Sequence, residues 1–241
     1  RLCPLGSSSS AMETPLLVCR GPVRPQRRTI VALLLFLQVH TGACNFHRPA
    51  KTMRRALIVI DMTVEQVANI SYRRERIVKT IQNLAQHGRF DAKVDSHLWF
   101  GAGNPPSSFE DMYPDIGRAG TPGAELIPEL RGLGLDFVQK YQYSCFDGGS
   151  RLEAYLRERS IDEVVLVGIN TDYCVLATAL SAFSARFQTK VVEAGVSSAN
   201  GREGHEEGLA AIRKYMPDAV VEDPSELALE GSVSKKPAAG A

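Results

Sequence analysis

The chain has 241 residues, and its 28 basic and 27 acidic side chains leave a formal net charge of +1. That balance gives no electrostatic reason to expect a nucleic-acid or anionic-membrane partner. Its five cysteines contain no Cys-x-x-Cys pair, which argues against a zinc cluster or a thioredoxin-type site, and a core of this size needs no disulfide framework.

Residues 1 to 53 form an N-terminal extension that stands apart in composition, with Glu13 as its only acid, a Ser7 to Ser10 run and no sustained amphipathic pattern. Arg27 and Arg28 precede an apolar stretch, Ile30 to Val39, and Thr41-Gly42-Ala43 offers small residues for a signal-peptidase cut. The stretch is about half the roughly 20 residues that cross a bilayer, so no membrane span is expected. An organelle transit peptide fits the low acid content equally. Untranslated sequence ahead of a start at Met53 is the third reading. The expected location is therefore cytoplasmic if translation starts at Met53, and secreted or organellar otherwise.

Residues 54 to 225 have the length of one domain, and 226 to 241 read as a disordered tail. Ala56 to Ile60 is an apolar strand that ends at Asp61. Arg74 to His87 is an amphipathic helix with Ile77, Val78, Ile81, Leu84 and Ala85 on one face, stopped by Gly88. A second strand covers Phe90 to Val94. Residues 101 to 123 are rich in Gly, Pro and Ser and read as a long loop able to cover a pocket. Phe137 to Lys140 is a third strand, Leu152 to Arg159 a helix, Val164 to Val167 a fourth strand and Thr189 to Glu193 a fifth. Glu203 to Tyr215 is a helix, and Ala219 to Val221 is a short last strand. This alternation predicts an α/β fold, with a parallel sheet covered by helices on both faces.

Cys174 lies just beyond the fourth strand, where Val175, Leu176, Ala179, Leu180 and Phe183 begin a helical repeat. Thr171 or Asp172 would cap that helix, and a cysteine in a first turn meets free N–H groups and the positive end of the helix dipole, which favours thiolate. Asp61, Lys140 and Cys174 all fall at the carboxyl ends of parallel strands, the edge where open α/β sheets bind ligands. Together they form a chemical set: a carboxylate to take the thiol proton, an ammonium to hold the anions and a sulfur to attack a carbonyl. Each alone has an ordinary structural explanation. Gly101-Ala102-Gly103 lacks the setting of a dinucleotide fingerprint, and His205 reads as structural.

Four segments carry a resemblance to a known family: Ala56-Leu-Ile-Val-Ile-Asp-Met62, Gly120-Thr-Pro-Gly-Ala-Glu-Leu126, Lys140 with Ser144-Cys145-Phe146, and Gly168-Ile-Asn-Thr-Asp-Tyr-Cys-Val175. The chain resembles the isochorismatase-like cysteine hydrolases over residues 54 to 223. The resemblance implies a three-layer α/β/α fold with a six-stranded, mainly parallel sheet in the order 3-2-1-4-5-6. It implies an Asp61, Lys140, Cys174 triad, a cis peptide between Ile169 and Asn170, and an oxyanion hole formed by the N–H groups of Asn170 and Cys174. It also implies self-association into homo-oligomers.

Nicotinamidases within this family hold a metal through an Asp-x-His pair after strand two and further ligands in the loop. Asp95 and His97 match that pair, and Glu110 is a candidate third ligand for a divalent, zinc-like ion. The usual later histidine is missing from Tyr113-Pro114-Asp115-Ile116. Thr63 to Val67 lacks the phenylalanine that commonly walls the pocket, so Phe146 and Trp99 are the candidate aromatic faces for substrate. The expected function is cysteine-dependent hydrolysis of a small amide through a thioester. Isochorismatase-type vinyl-ether hydrolysis and a non-catalytic metabolite- or protein-binding role are the alternatives.

Overall fold

A computed structural model describes residues 52–227. The expectations for residues 1–51 and 228–241 lie outside that range. The sheet is built on β1 (Arg55–Ile60), whose alternating side chains bury both of its faces. Ala56, Ile58 and Ile60 pack into one apolar cluster, and Leu57 and Val59 into the other. This period-2 division is what a strand buried on both sides requires, and it explains why the segment reads as continuously apolar.

Around β1 lie β2 (Ala92–Ser96), β3 (Asp136–Phe137), β4 (Glu163–Ile169), β5 (Gln188–Ser197) and β6 (Val220–Val221). All strand pairs are parallel, in the order β3-β2-β1-β4-β5-β6. This is the six-stranded order that the family resemblance implies. The helices α1 (Val64–Val67), α2 (Arg74–His87), α3 (Ser108–Met112), α4 (Leu152–Glu158), α5 (Leu176–Ser184) and α6 (Gly201–Tyr215) connect them. The buried stripe of α2 is Ile77, Val78, Ile81, Leu84 and Ala85 and covers the Leu57/Val59 face. On the opposite face α4, α5 and α6 contribute Leu156, Ala179, Ala182, Leu209 and Ile212. Burying such side chains is worth about 1.5 to 3 kcal/mol each for the larger ones, so this two-sided core fixes the register that positions the strand ends.

Several element boundaries differ from the sequence expectation; β2, for example, lies two residues later than expected, at Ala92–Ser96. β3 has only two residues, because the chain leaves the ladder after Phe137 and returns to it as an isolated pairing of Lys140 with Leu98. β5 runs to ten residues. The fold also continues to Leu227, which is buried and whose carbonyl accepts from Arg55 Nη1 at 3.0 Å, two residues past the expected domain end. Among the described residues, no helix is long and apolar enough to cross a membrane.

Candidate active site

The order reverses between β1 and β4, so Asp61 and the turn after Ile169 leave the sheet side by side. Close approach of these strands depends on Gly168, which sits at φ +113°. A Cβ there would lie 2.1 Å from Ile60 O. Asp61 itself adopts a left-handed φ of 53° and donates its N–H to Ser96 O at 3.1 Å. Lys140 reaches the same edge because its N–H donates to His97 O at 3.0 Å, which extends the β2 pairing beyond β3.

These three paths converge. Lys140 Nζ donates to Asp61 Oδ2 at 2.6 Å and to Cys174 Sγ at 3.3 Å, with all three side chains buried. Burial is the largest influence and disfavours the lysine cation, but the charge of Asp61, the nearby Cys174 and Cys145 and the Asp61 hydrogen bond together outweigh it and hold the ammonium protonated above its ordinary range. Burial also pushes the Cys174 thiol well up. Lys140 pulls it back, while Asp61 pushes it up again through its charge and a hydrogen bond. Burial thus opposes the thiolate that a helix N-terminus favours, and it is the largest influence on the sulfur. Asp61 Oδ1 is buried without a hydrogen-bond partner, so the carboxylate keeps a lone pair for a proton.

Cys174 stands on a π-helical turn, Thr171–Val175, that leads into α5, and the Ile169–Asn170 peptide before it is cis. No side chain caps this turn. Thr171 Oγ1 instead pairs with His205 Nδ1 at 3.1 Å, and Asp172 accepts from Ser198 Oγ and Asn200 Nδ2 at 2.6 and 2.8 Å. His205 Nε2 faces Arg73 Nη1 at 3.2 Å. An arginine only donates, so Nε2 accepts and Nδ1–H donates to Thr171. The Asn170 side chain is held by Ala199 N–H at 2.8 Å, and the Asn170 carbonyl accepts from Val175 N–H at 3.0 Å.

A cleft of about 230 Å³ opens onto Cys174 and Asn170. Its aromatic lining is Phe109, Tyr113, Tyr143 and Tyr173, and its polar lining includes Gln66 and Asn69. Phe146 and Trp99, the expected substrate-facing rings, do not line it. Phe146 packs on Phe187 at 5.9 Å, and Trp99 lies edge-on to His97 and Phe137 at 6.1 Å. The rings that line the cleft are not apparent in the sequence because α3, which carries Phe109, sits in a segment whose Gly, Pro and Ser content predicts a loop. A signal was present: Ser107-x-x-Glu110 is a capping-box pattern, and Ser107 Oγ does accept from Glu110 N–H at 3.2 Å. The turn it starts carries Phe109 and Tyr113 on one face.

The metal set Asp95, His97 and Glu110 does not assemble. His97 Nδ1 lies 2.9 Å from Asp95 Oδ1, the pair is buried, and Glu110 lies 3.8 Å from the Arg118 guanidinium. Among the described residues, no three His, Cys, Asp or Glu side chains gather as a metal site. None of these three residues lines the Cys174 cleft.

Residues 55–222 match the model of the isochorismatase domain. The chain belongs to the isochorismatase family. It is 32% identical over 188 residues to the isochorismatase family protein PncA of Bacillus subtilis (strain 168), across 70% of this chain and all of that one. It is 31% identical over 166 residues to the nicotinamidase/pyrazinamidase of Mycobacterium tuberculosis (strain ATCC 25618 / H37Rv), across 60% of this chain and 88% of that one. The crystal structure of nicotinamidase PncA from Bacillus subtilis superposes with a TM-score of 0.60 at 30% identity, covering 70% of this chain and all of that one. This chain is thus an isochorismatase-family hydrolase, and the buried Asp, Lys and Cys cluster lies inside the matched segment.

Proposed function

We propose that this isochorismatase-family hydrolase cleaves a small amide by covalent catalysis at Cys174. The observation that carries the proposal is the buried contact of one lysine with both a carboxylate and a thiol, at the floor of a cleft of small-molecule size. Similarity to a nicotinamidase/pyrazinamidase supports the choice of an amide.

Asp61 takes the Cys174 proton as the sulfur bonds to the carbonyl carbon. Lys140, fixed between the two, offsets the negative charge that builds on sulfur. The carbonyl oxygen becomes an oxyanion facing the backbone N–H groups of Asn170 and Cys174. Each such donor is typically worth about 2.7 to 4 kcal/mol in the transition state. The carbon–nitrogen bond then breaks, and the nitrogen leaves with the proton from Asp61. Water attacks the thioester, giving one proton to Asp61. The carbon–sulfur bond breaks to release the acid, and the proton returns to sulfur. The sum is amide plus water giving acid plus ammonia or amine.

Ammonia release from a panel of small primary amides tests this. Cys174→Ala and Asp61→Asn are each expected to lower kcat by about 10⁴-fold or more. Ammonia release that survives Cys174→Ala would instead favour an amide-hydrolysis route that does not use the thiol.

A further inference from the structure

The cleft above Cys174 contains a pair of groups with no role in the chemistry just described. Tyr113 and Tyr143 approach each other through their hydroxyls, Oη to Oη 3.2 Å. Two phenols have two hydroxyl hydrogens, and their mutual hydrogen bond uses one. The other is left to donate elsewhere, and both rings line the cleft. Phe109 fixes the pair, lying 4.8 Å from Tyr113 and 5.1 Å from Tyr143. The hydrogen bond shared with Tyr113 and burial push the Tyr143 hydroxyl up to about 12.

Two further observations define what such a pair would meet. Gln66 Nε2 is a buried donor without a partner, and Gln66 lines the same cleft. Among the described residues no Lys, Arg or His lines it, and the nearby Lys140 is engaged by Asp61 and Cys174. The cleft therefore offers aromatic faces and neutral donors, with no free cation for an anionic acyl group. A buried carboxylate without a cation is costly, whereas a neutral ring with an acceptor atom satisfies these donors. Asp95, His97 and Glu110 do not gather at this cleft, so a metal held by them would not perform this recognition.

We propose that the Tyr113–Tyr143 phenol pair, aided by Gln66, is the subsite that reads a hydrogen-bond acceptor on a neutral, planar amide, and that it does so without a metal. This rests on the amide-hydrolase reading of Cys174, which it deepens by assigning the substrate class and the residues that select it.

The test uses full-length protein treated with chelator and three probes: nicotinamide, benzamide and 3-carbamoylbenzoate. They share an aryl amide and differ in having a ring acceptor, none, or an added negative charge. Binding is measured calorimetrically on Cys174→Ala, so the result does not depend on turnover. Nicotinamide is expected to bind about tenfold tighter than benzamide, and 3-carbamoylbenzoate at least about tenfold weaker than benzamide. In Tyr113→Phe and in Tyr143→Phe, each combined with Cys174→Ala, the preference for nicotinamide is expected to fall to about twofold or less. The ratio comes from one preparation of each variant, so it does not depend on the fraction folded.

An unchanged ratio in both phenylalanine variants would overturn the proposal. So would a preference that appears only on adding divalent metal, or tightest binding of the carboxylate. Loss of wild-type amide turnover with the binding pattern intact would sink the catalytic reading and leave the subsite standing. Turnover with no phenol-dependent preference would do the reverse.

Discussion

Cys174 meets two opposed influences, a turn whose free N–H groups favour negative charge and an interior that disfavours it. Burial is the stronger influence, because Cys174 is only 4% exposed, and Asp61 beside it adds to the effect. A charge buried in low dielectric is retained only where a partner compensates it, and the one cation present, Lys140, is shared with Asp61. Asp61 and Lys140 thus form a buried ion pair, and Cys174 lies against its lysine. For a thiol whose folded pKa is raised, the proton stays on through the ordinary range of about 8.5 and leaves only above it. The ultraviolet absorbance of thiolate, taken as the difference between wild type and Cys174→Ser, is expected to show no titration between about pH 6 and pH 8.5. A thiolate step below about pH 7.5 would contradict this arrangement.

At the scale of elements, the site depends on how closely β1 and β4 run where they end. Gly168 is the position that permits it, with a left-handed φ and no room for a Cβ against the β1 backbone. Neither problem is relieved by moving a flexible side chain, because the atoms in the way are Ile60 O, N and C. Gly168→Ala is expected to destabilise the fold by about 3 kcal/mol or more, read as a lower midpoint in denaturant. A midpoint within about 0.5 kcal/mol of wild type would show that β4 can shift without penalty.

The same scale shows what was legible beforehand. Arg74–His87 was placed to the residue because its apolar period and its Gly88 stop agree. The strands were found from apolar runs, and Asp61, Lys140 and Cys174 from their places at strand ends. β3 was overextended because two paired residues are too few to carry a period, and Lys140 rejoins the ladder only through a lone bridge. The rings lining the cleft are illegible in the sequence for a different reason. Tyr113, Tyr143 and Tyr173 meet across three separate segments, and ring pairs such as Tyr143 with Tyr173 at 6.1 Å form only when the chain closes. Phe146 is near Lys140 in sequence, yet the turn after Ser144 packs it on Phe187.

At the scale of the whole molecule, an all-parallel sheet with both faces buried delivers three distant residues to one edge. Asp61 and Lys140 are 79 residues apart, and Lys140 and Cys174 are 34 apart. Nothing local brings them together; the sheet order does. Strand ends thus hold Asp61, Lys140 and Cys174, and loops and turns line the cleft above them, the common placing of sites on open α/β sheets.

The central claim is that the sulfur of Cys174 becomes covalently acylated. It is tested most directly by mixing enzyme with an amide that it turns over, quenching in acid within a turnover, and weighing the peptide that carries Cys174. The account predicts a mass gain equal to the acyl group on that peptide in wild type, and none in Asp61→Asn. Turnover with no acyl group on Cys174 at any quench time, together with an active Cys174→Ala, would contradict it.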